Sequence, residues 1–324
     1  MSNVEIALAT FQSEKFLRAQ LVSLFSQSYQ DFSILVADDG STDATLGILA
    51  EFATTYPGKI RILEFESRAG GACQNFGRIL DHARSDYVMF CDHDDVWLGN
   101  KIELTLSRMN HLESNFGTAM PILVHTDLSV VGPDLNPLFS SFFRHEGLFP
   151  ASADLRRLLM QNNVTGCTVL LNRALYEMAR PIPHDAPMHD WWVALVAAAF
   201  GKVDFVAQST ILYRQHGKNS VGVTKQRSIV GQIFRFVNFL RGRTAGGRGR
   251  LLRVTHQAKL FKDRYASSLP PRQYILISEL ANLWAFSAAK RVWLLLRNRF
   301  FAFRLTRTAE LLIAAFINRS SAPP

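Results

Sequence analysis

The sequence predicts an α/β fold: a Rossmann-like, mainly parallel sheet flanked by helices, with a basic and mostly helical C-terminal extension. Three observations predict it. In the first half, short apolar runs alternate with stretches whose apolar residues recur at helical spacing, as βαβ units require. Acidic or polar clusters stand where three of those apolar runs end. Charge also changes sign along the chain: 223–324 holds 19 Lys and Arg against 3 Asp and Glu, and the preceding residues hold 17 against 24. A body of net −7 followed by a region of net +16 predicts two domains, 1–222 and 223–324, the second with an anionic partner.

Each element follows from local pattern. Residues 4–9 are a short apolar run ending in Thr10-Phe11-Gln12-Ser13, a buried strand. Over 14–27, Phe16, Leu17, Leu21, Leu24 and Phe25 share one helical face. A second strand, 32–37, ends in Asp38-Asp39-Gly40-Ser41, and a helix over 42–56 follows with Ser41 or Thr42 as its expected cap. A third strand spans 60–65. Gly70-Gly71 opens a turn into a helix over 73–83. A fourth strand, 87–91, runs into Asp92-His93-Asp94-Asp95. From 122 to 213 the pattern is mixed, with strands at 122–126, 168–171 and 202–205 and a helix over 190–200. Beyond 221, residues 226–240 are basic and amphipathic, 241–250 is a Gly/Arg linker, and the remainder reads as helices rich in Leu, Phe, Trp and Arg.

Composition excludes several classes. With 48% hydrophobic and 19% charged residues the chain is no disordered segment. Three cysteines, Cys73, Cys91 and Cys167, make no disulfide framework and fit reduced thiols in a cytosolic protein. The N-terminal Met1-Ser2-Asn3-Val4-Glu5 lacks the basic start of a cleaved secretory signal. No run reaches the roughly 18–20 apolar residues of a spanning helix. There is no Gly-x-Gly-x-x-Gly after the first strand and no Walker A motif, so an ordinary dinucleotide or P-loop site is not expected.

Ligands of parallel sheets bind beyond the carboxyl ends of the strands, where Thr10-Phe11, Asp38-Asp39 and Asp92-His93-Asp94-Asp95 converge. Three carboxylates in four residues repel one another unless a cation joins them, and a hard divalent ion shared with nucleotide phosphates answers that need. The plainer alternative is a solvated acidic turn. In Asp38-Asp39-Gly40-Ser41 one carboxylate can cap the helix while the other accepts from a uracil or thymine N–H or from ribose hydroxyls. His189-Asp190-Trp191-Trp192 places an acid and paired indoles at a helix start, which suits a sugar site or, equally, a capped helix with core aromatics. Tyr213-Arg214-Gln215-His216-Gly217-Lys218-Asn219-Ser220 mixes a metal-ligand histidine with phosphate-binding cations.

Taken as an ordered series, these motifs, together with Gly71, Asn75-Phe76 and Asn163-Val164-Thr165-Gly166-Cys167, resemble the inverting family-two glycosyltransferases of GT-A fold, and most nearly the bacterial rhamnosyltransferase-like branch. The resemblance covers about 4–222. It implies a metal-dependent inverting transfer of a sugar from a nucleotide donor to a glycan or polyprenyl-diphosphate-linked acceptor, in cell-surface polysaccharide synthesis. It implies nucleotide contacts from Thr10, Phe11, Glu14, Asp38, Asp39, Asn75, Asp92 and His93. Mg²⁺ or Mn²⁺ would sit on Asp94, Asp92 and His216, and Asp190 would be the catalytic base. The sugar and acceptor would meet Asp127, Gly166, His189, Trp191 and Trp192, with Asp127 or His189 the fallback base. dTDP-rhamnose is the first donor implied, and UDP-hexoses stay open. Departures from the family are Phe11 for Tyr, Gln12 for Asn, His93 for Gln or Asp, and His189 for Glu. Two rivals stand beside this reading. A nucleotidyltransferase would need a Gly-rich basic loop, absent after Ala9, and an inactive nucleotide-sugar binder would not need Asp92, Asp94 and Asp190.

In the tail, residues 291–304 interleave arginines with Trp293, Phe300, Phe301 and Phe303, the composition of an interfacial helix. Anionic lipid on the inner face of the cell membrane is the favoured partner, intramolecular packing the second, and no nucleic acid is expected.

Overall fold

The computed structural model describes residues 3–148, 150, 154–216, 246–303 and 305–317. The segment 226–240, residues 241–245 of the Gly/Arg linker, Gly217-Lys218-Asn219-Ser220 and Arg304 lie outside them. The chain divides into two compact units, Met1–Glu146 with Val164–Gly222, and Gly147–Asn163 with Val223–Pro324.

The first unit is built on one nine-stranded sheet. Strands β1 (Val4–Thr10), β2 (Phe32–Asp38), β3 (Ile60–Leu63) and β4 (Tyr87–Asp92) lie in the order β3-β2-β1-β4 and pair in parallel. Every residue of β1 is buried, as expected of a strand covered on both faces. The register sets Thr10 opposite Asp38 and Ala9 opposite Asp92, so three strand ends finish side by side. Helices α1 (Leu17–Phe25), α2 (Thr45–Thr55) and α3 (Ala72–His82) make the crossovers.

Beyond β4 the sheet is mixed. β8 (Leu170–Asn172) pairs antiparallel with both β4 and β6 (Ile122–Val131), and β9 (Lys202–Arg214) runs parallel to β6. β5 (Val96–Trp97) closes antiparallel on β9, and β7 (Pro137–Phe139) on β6. The 202–205 run is only the start of β9, because the later Gln208, Ser209 and Thr210 break apolar alternation; the β6–β9 register slips at Thr126/Asp127 and Asp127/Ser129. Helix α4 (Lys101–Phe116) is an element the sequence reading does not include, although Ile102, Leu106, Met109 and Leu112 recur at helical spacing and are buried. Helices α5 (Phe142–Glu146), α7 (Arg173–Ala179) and α8 (His189–Phe200) complete the unit.

Two expectations are corrected. Neither Ser41 nor Thr42 caps α2. Ser41 turns back on Asp38, and Asp43 takes the N–H and hydroxyl of Thr45 at the true helix start. The helix expected over 14–27 begins at Leu17, because Glu14 is engaged elsewhere: its N–H donates to Asp43 Oδ2 at 3.1 Å and its Oε2 accepts from Ala44 N at 3.0 Å.

The second unit is helical. Its described helices are α6 (Leu155–Met160), Gly246–Tyr265, Pro271–Ala281, Ala288–Arg297 and Leu305–Phe316. Leu251, Val254, Phe261, Ile277, Leu280, Leu294, Leu295 and Leu311 form its core, and Arg250 pairs with Glu310 at 3.2 Å. The aromatic interface expected of the tail is mostly turned inward. Phe300 and Phe303 are buried, and Trp284 donates its indole N–H to Thr255 Oγ1 at 3.1 Å. Trp293 stays 51% exposed. Among the described residues no helix is long and apolar enough to cross a membrane.

Candidate active site

At the ends of β1 and β2, Thr10 Oγ1 donates to Asp38 Oδ2 at 2.8 Å. Asp38 also takes the N–H groups of Gly40 and Ser41 at 3.1 and 2.7 Å, so its carboxylate is spent on its own turn. Gly40 has φ +80°, and a Cβ there would stand 2.6 Å from Arg68 Nε. The positive φ favours glycine, and a side chain would in addition push Arg68 aside. Asp39 accepts from the backbone N–H groups of Ala69, Gly70 and Gly71, drawing the loop before α3 onto the strand end. Gln12, in the left-handed region at φ 50°, ties the two strand ends together by donating its N–H to Ser41 Oγ at 2.8 Å and accepting from Thr42 N at 2.9 Å. Phe11 is 45% exposed at this rim, with the Arg68 guanidinium 5.5 Å above its ring. Asn75 is buried: its Nδ2 donates to Ala37 O at 2.8 Å, and its Oδ1 has no partner among the described residues.

The acidic turn after β4 is the electrostatic centre. Burial, then the charges of Asp94 and Asp190, lifts the Asp92 carboxyl to about 7. Burial, then Asp94 and Asp92, holds the fully buried Asp95 well above the usual carboxylate range. Asp94 Oδ2 meets His216 Nε2 at 2.7 Å. His93 turns its Nδ1 to Ala9 O at 3.3 Å, on the β1 side. Carboxyl oxygens of Asp92 and Asp95 lie with Cys167 Sγ inside a 4.8 Å cluster. Arg214, expected among the phosphate-binding cations, is turned inward instead. Its Nε donates to Asp94 O at 2.8 Å and its Nη1 to Pro133 O.

On the opposite side, Asp190 opens α8. Its Oδ2 accepts from Gly166 N at 3.0 Å and its Oδ1 from its own Trp191 N at 2.6 Å. It is the acidic residue of the helix's first turn. A Cβ on Gly166 would lie 3.0 Å from His189 Nε2 and 3.4 Å from Asp190 Oδ2, so glycine here keeps the approach open.

The remaining expected contacts separate. His189 is stacked on Phe76 at 4.0 Å and edge-on to Phe90 at 4.8 Å, and burial drives its pKa down to about 3. It is neutral and wedged, which corrects its place as fallback base. Trp192 is fully buried with its Nε1 on Ala179 O at 3.1 Å, so it is a core side chain and not a sugar platform; Trp191 is partly exposed. Asp127 accepts from Leu128 N at 2.8 Å, Ser141 Oγ and Phe143 N, anchoring the 141–143 segment. The structure adds Gln12, Phe16, Arg68, Asp95 and Lys101 to the surroundings of the site. Of these Gln12 and Asp95 carry a sequence signal, as members of the clusters that end β1 and β4.

A second buried histidine, His125 of β6, has no partner for either ring nitrogen among the described residues, and burial lowers its pKa to about 3. The unfolded chain protonates this group below about 6.5 while the folded chain does not, so its contribution to stability is lost as pH falls from 6.5 towards 3. The slope is at most about 1.4 kcal/mol per pH unit. Urea midpoints measured from pH 7 to 4 are expected to show the wild type losing stability relative to His125→Leu as pH falls. Parallel profiles would show that His125 is protonated in the fold.

This arrangement, strand-end carboxylates facing a helix-borne acid across a Gly-Cys turn, is that of a glycosyltransferase with the GT-A fold. The chain belongs to glycosyl transferase family 2, whose domain matches residues 5–177. It is 31% identical over 235 residues to the dTDP-rhamnosyl transferase RfbG of Shigella flexneri, covering 66% of this chain and 73% of that protein. It is 28% identical over 192 residues to the UDP-Glc:alpha-D-GlcNAc-diphosphoundecaprenol beta-1,3-glucosyltransferase WfgD of Escherichia coli, covering 58% and 68% of the two chains. Among solved structures it is similar to S. aureus TarS 1-349 in complex with UDP, at TM-score 0.54 and 14% identity over 96% of this chain and 90% of that one. It is also similar to the mannosyltransferase PcManGT from Pyrobaculum calidifontis in complex with GDP-Man and Mn²⁺, at TM-score 0.51 and 17% identity over 98% and 76%.

Proposed function

We propose that the enzyme is a metal-dependent inverting glycosyltransferase. It moves a hexose, rhamnose first, from a dTDP- or UDP-linked donor to a glycan or polyprenyl-diphosphate-linked acceptor of a cell-surface polysaccharide. The observation that carries the reading is geometric: Gly166 N–H holds Asp190 Oδ2 at 3.0 Å, and the next residue, Cys167, places its Sγ within 4.8 Å of carboxyl oxygens of Asp92 and Asp95. A base on the acceptor side and a carboxylate cluster on the donor side therefore serve one reaction centre. Support for the rhamnosyl donor is the relation to RfbG, and for a lipid-linked acceptor the relation to WfgD.

The residues fit a divalent cation. Asp92 and Asp94 offer hard oxygens and His216 an imidazole nitrogen, and although burial is the main reason Asp92 is raised, the neighbouring Asp94 charge adds a repulsion that such an ion would relieve. Asp94, Asp92 and His216 would hold it, and when bound it supplies charge neutralisation for a leaving diphosphate. The protein's own groups do the rest. The loops tied by Asp38, Asp39 and Gln12 shape the base and ribose end, with Phe11 presenting its ring. Asp190, fixed by two backbone N–H groups, receives the acceptor hydroxyl proton as that oxygen attacks the anomeric carbon from the face opposite the diphosphate. One displacement inverts configuration, and the value of this weak base lies in its position.

Thermal shift against a panel of nucleotide sugars, with and without Mn²⁺, tests the reading. Ligand at 100 times its Kd stabilises the native state by about 2.7 kcal/mol. A metal-dependent rise with dTDP-rhamnose or a UDP-hexose, and release of nucleoside diphosphate on adding acceptor, is expected. Pyrophosphate as product would mean nucleotidyl transfer, and binding without any product an inactive binder.

For the tail, we infer contact with the anionic cytoplasmic leaflet, which makes the enzyme peripheral on the inner face of the membrane. What supports this is narrower than the aromatic content: Trp293 and Leu296 are exposed on one helix and Ile275 on its neighbour, with the Arg297 guanidinium 4.6 Å over the Trp293 ring. Co-sedimentation with liposomes is expected to need acidic lipid, to weaken with salt, and to lose its salt-resistant part in Trp293→Ala/Leu296→Ala. Full-length protein that ignores acidic liposomes would leave the tail a packing element.

A further inference from the structure

The role given to Asp94 and His216 leaves unexplained what holds them together. His216 is the last residue described after β9, and Asp94 sits on a turn 122 residues earlier. Asp95 contributes no atom to the donor side as read above, yet it is fully buried. Its Oδ1 accepts the backbone N–H of Arg214 at 3.0 Å. Arg214 answers with its guanidinium, Nε donating to the Asp94 carbonyl at 2.8 Å and Nη1 to Pro133 O. The exchange is reciprocal: a side chain of the turn holds the backbone of the strand, and a side chain of the strand holds the backbone of the turn. Phe16 lies beneath both, its ring 4.6 Å from the Arg214 guanidinium and 4.9 Å from the His216 ring. The other face of Asp95 meets Cys167, which follows Gly166, the residue whose N–H holds Asp190.

We propose that Asp95 is a positioning residue: by taking the Arg214 N–H it clamps the end of β9 to the acidic turn and so keeps His216 on Asp94. The inference deepens the proposed metal-dependent donor site and rests on it. Buried partners that orient ligand side chains typically change metal affinity by about 10–100-fold when removed. The clamp works through an acceptor atom, not a charge. An amide oxygen in the place of Oδ1 therefore serves, and a methyl group does not.

The experiment compares wild type, Asp95→Ala and Asp95→Asn on two independent readouts. The first is backbone hydrogen exchange over residues 209–216 in the metal-free protein. The second is the affinity for UDP with Mn²⁺, by calorimetry, with donor KM and kcat alongside. Asp95→Ala is expected to speed exchange at the Arg214 amide and to weaken Mn²⁺-dependent UDP binding by about 10-fold or more, raising donor KM more than it lowers kcat. Asp95→Asn is expected to restore both. Unchanged exchange in Asp95→Ala overturns the clamp whatever the nucleotide does. Faster exchange with undiminished UDP binding overturns its link to the donor site, and an Asn variant that behaves like Ala overturns the acceptor argument. Wild-type protein that binds UDP equally well without metal overturns the metal reading itself, and exchange alone then judges the clamp. Should Asp95→Ala not fold, Asp95→Leu keeps the bulk and removes the acceptor; it is expected to speed exchange at the Arg214 amide and to weaken UDP binding in the same direction, and unchanged exchange overturns the proposal.

Discussion

Asp190→Asn is expected to abolish transfer while leaving the donor bound as before. General-base catalysis contributes about 10²–10⁴-fold, and an amide keeps the shape of the carboxylate but accepts no proton. The carboxylate is held by Gly166 N and Trp191 N, contacts an asparagine can reproduce in part, so the loss should fall on kcat. Single-turnover assays with saturating donor, beside calorimetry of the nucleoside diphosphate, separate the two effects. Turnover within tenfold of wild type would place the base elsewhere. The obvious substitutes are poor ones: His189 is wedged between Phe76 and Phe90 with its pKa near 3, and Asp127 is committed to the 141–143 segment.

The second large effect is expected from Asp94→Asn. Removing one negative oxygen where Asp94 meets His216 should weaken Mn²⁺-dependent nucleotide binding by at least about 100-fold, the upper end of what even outer contacts to a metal ligand cost. Metal titration in the presence of UDP measures it directly. Binding that keeps its metal dependence in Asp94→Asn would remove this carboxylate from the donor site. The mutant should melt cooperatively, since the Asp94 contact to Arg214 is made by its backbone carbonyl.

The parallel half of the sheet is legible in the sequence because burial on both faces leaves unbroken apolar runs, and each run stops at an acidic or polar cluster. The strand ends at Thr10, Asp38 and Asp92 can be located that way, and with them one side of the candidate site. The mixed half is not legible to the same degree. β9 is half-exposed and pairs with three registers of β6, so neither continuous apolarity nor alternation marks its length. Roles fare similarly. Asp190 reads correctly as the acid at a helix start, but His189 and Trp192 beside it differ only in which way the helix faces, and nothing in the tetrapeptide says that Trp192 turns to the core. Asp38 and Asp39 are adjacent and chemically identical, yet one closes its own turn and the other gathers the 69–71 loop. Asp95 is the extreme case: its partner is a backbone N–H 119 residues away.

The helical unit draws on two separate stretches, Gly147–Asn163 and Val223–Pro324. Leu155, Leu158 and Leu159 bury one face of α6, a six-residue helix that packs on Gly246–Tyr265, and Gln161 accepts the N–H of Phe303 at 3.4 Å. On the ribosome, α6 emerges some ninety residues before its partner helices and must wait with its leucines uncovered. A chain cut after Gly222 would stay in that condition, exposing an apolar face to chaperones and to other copies of itself.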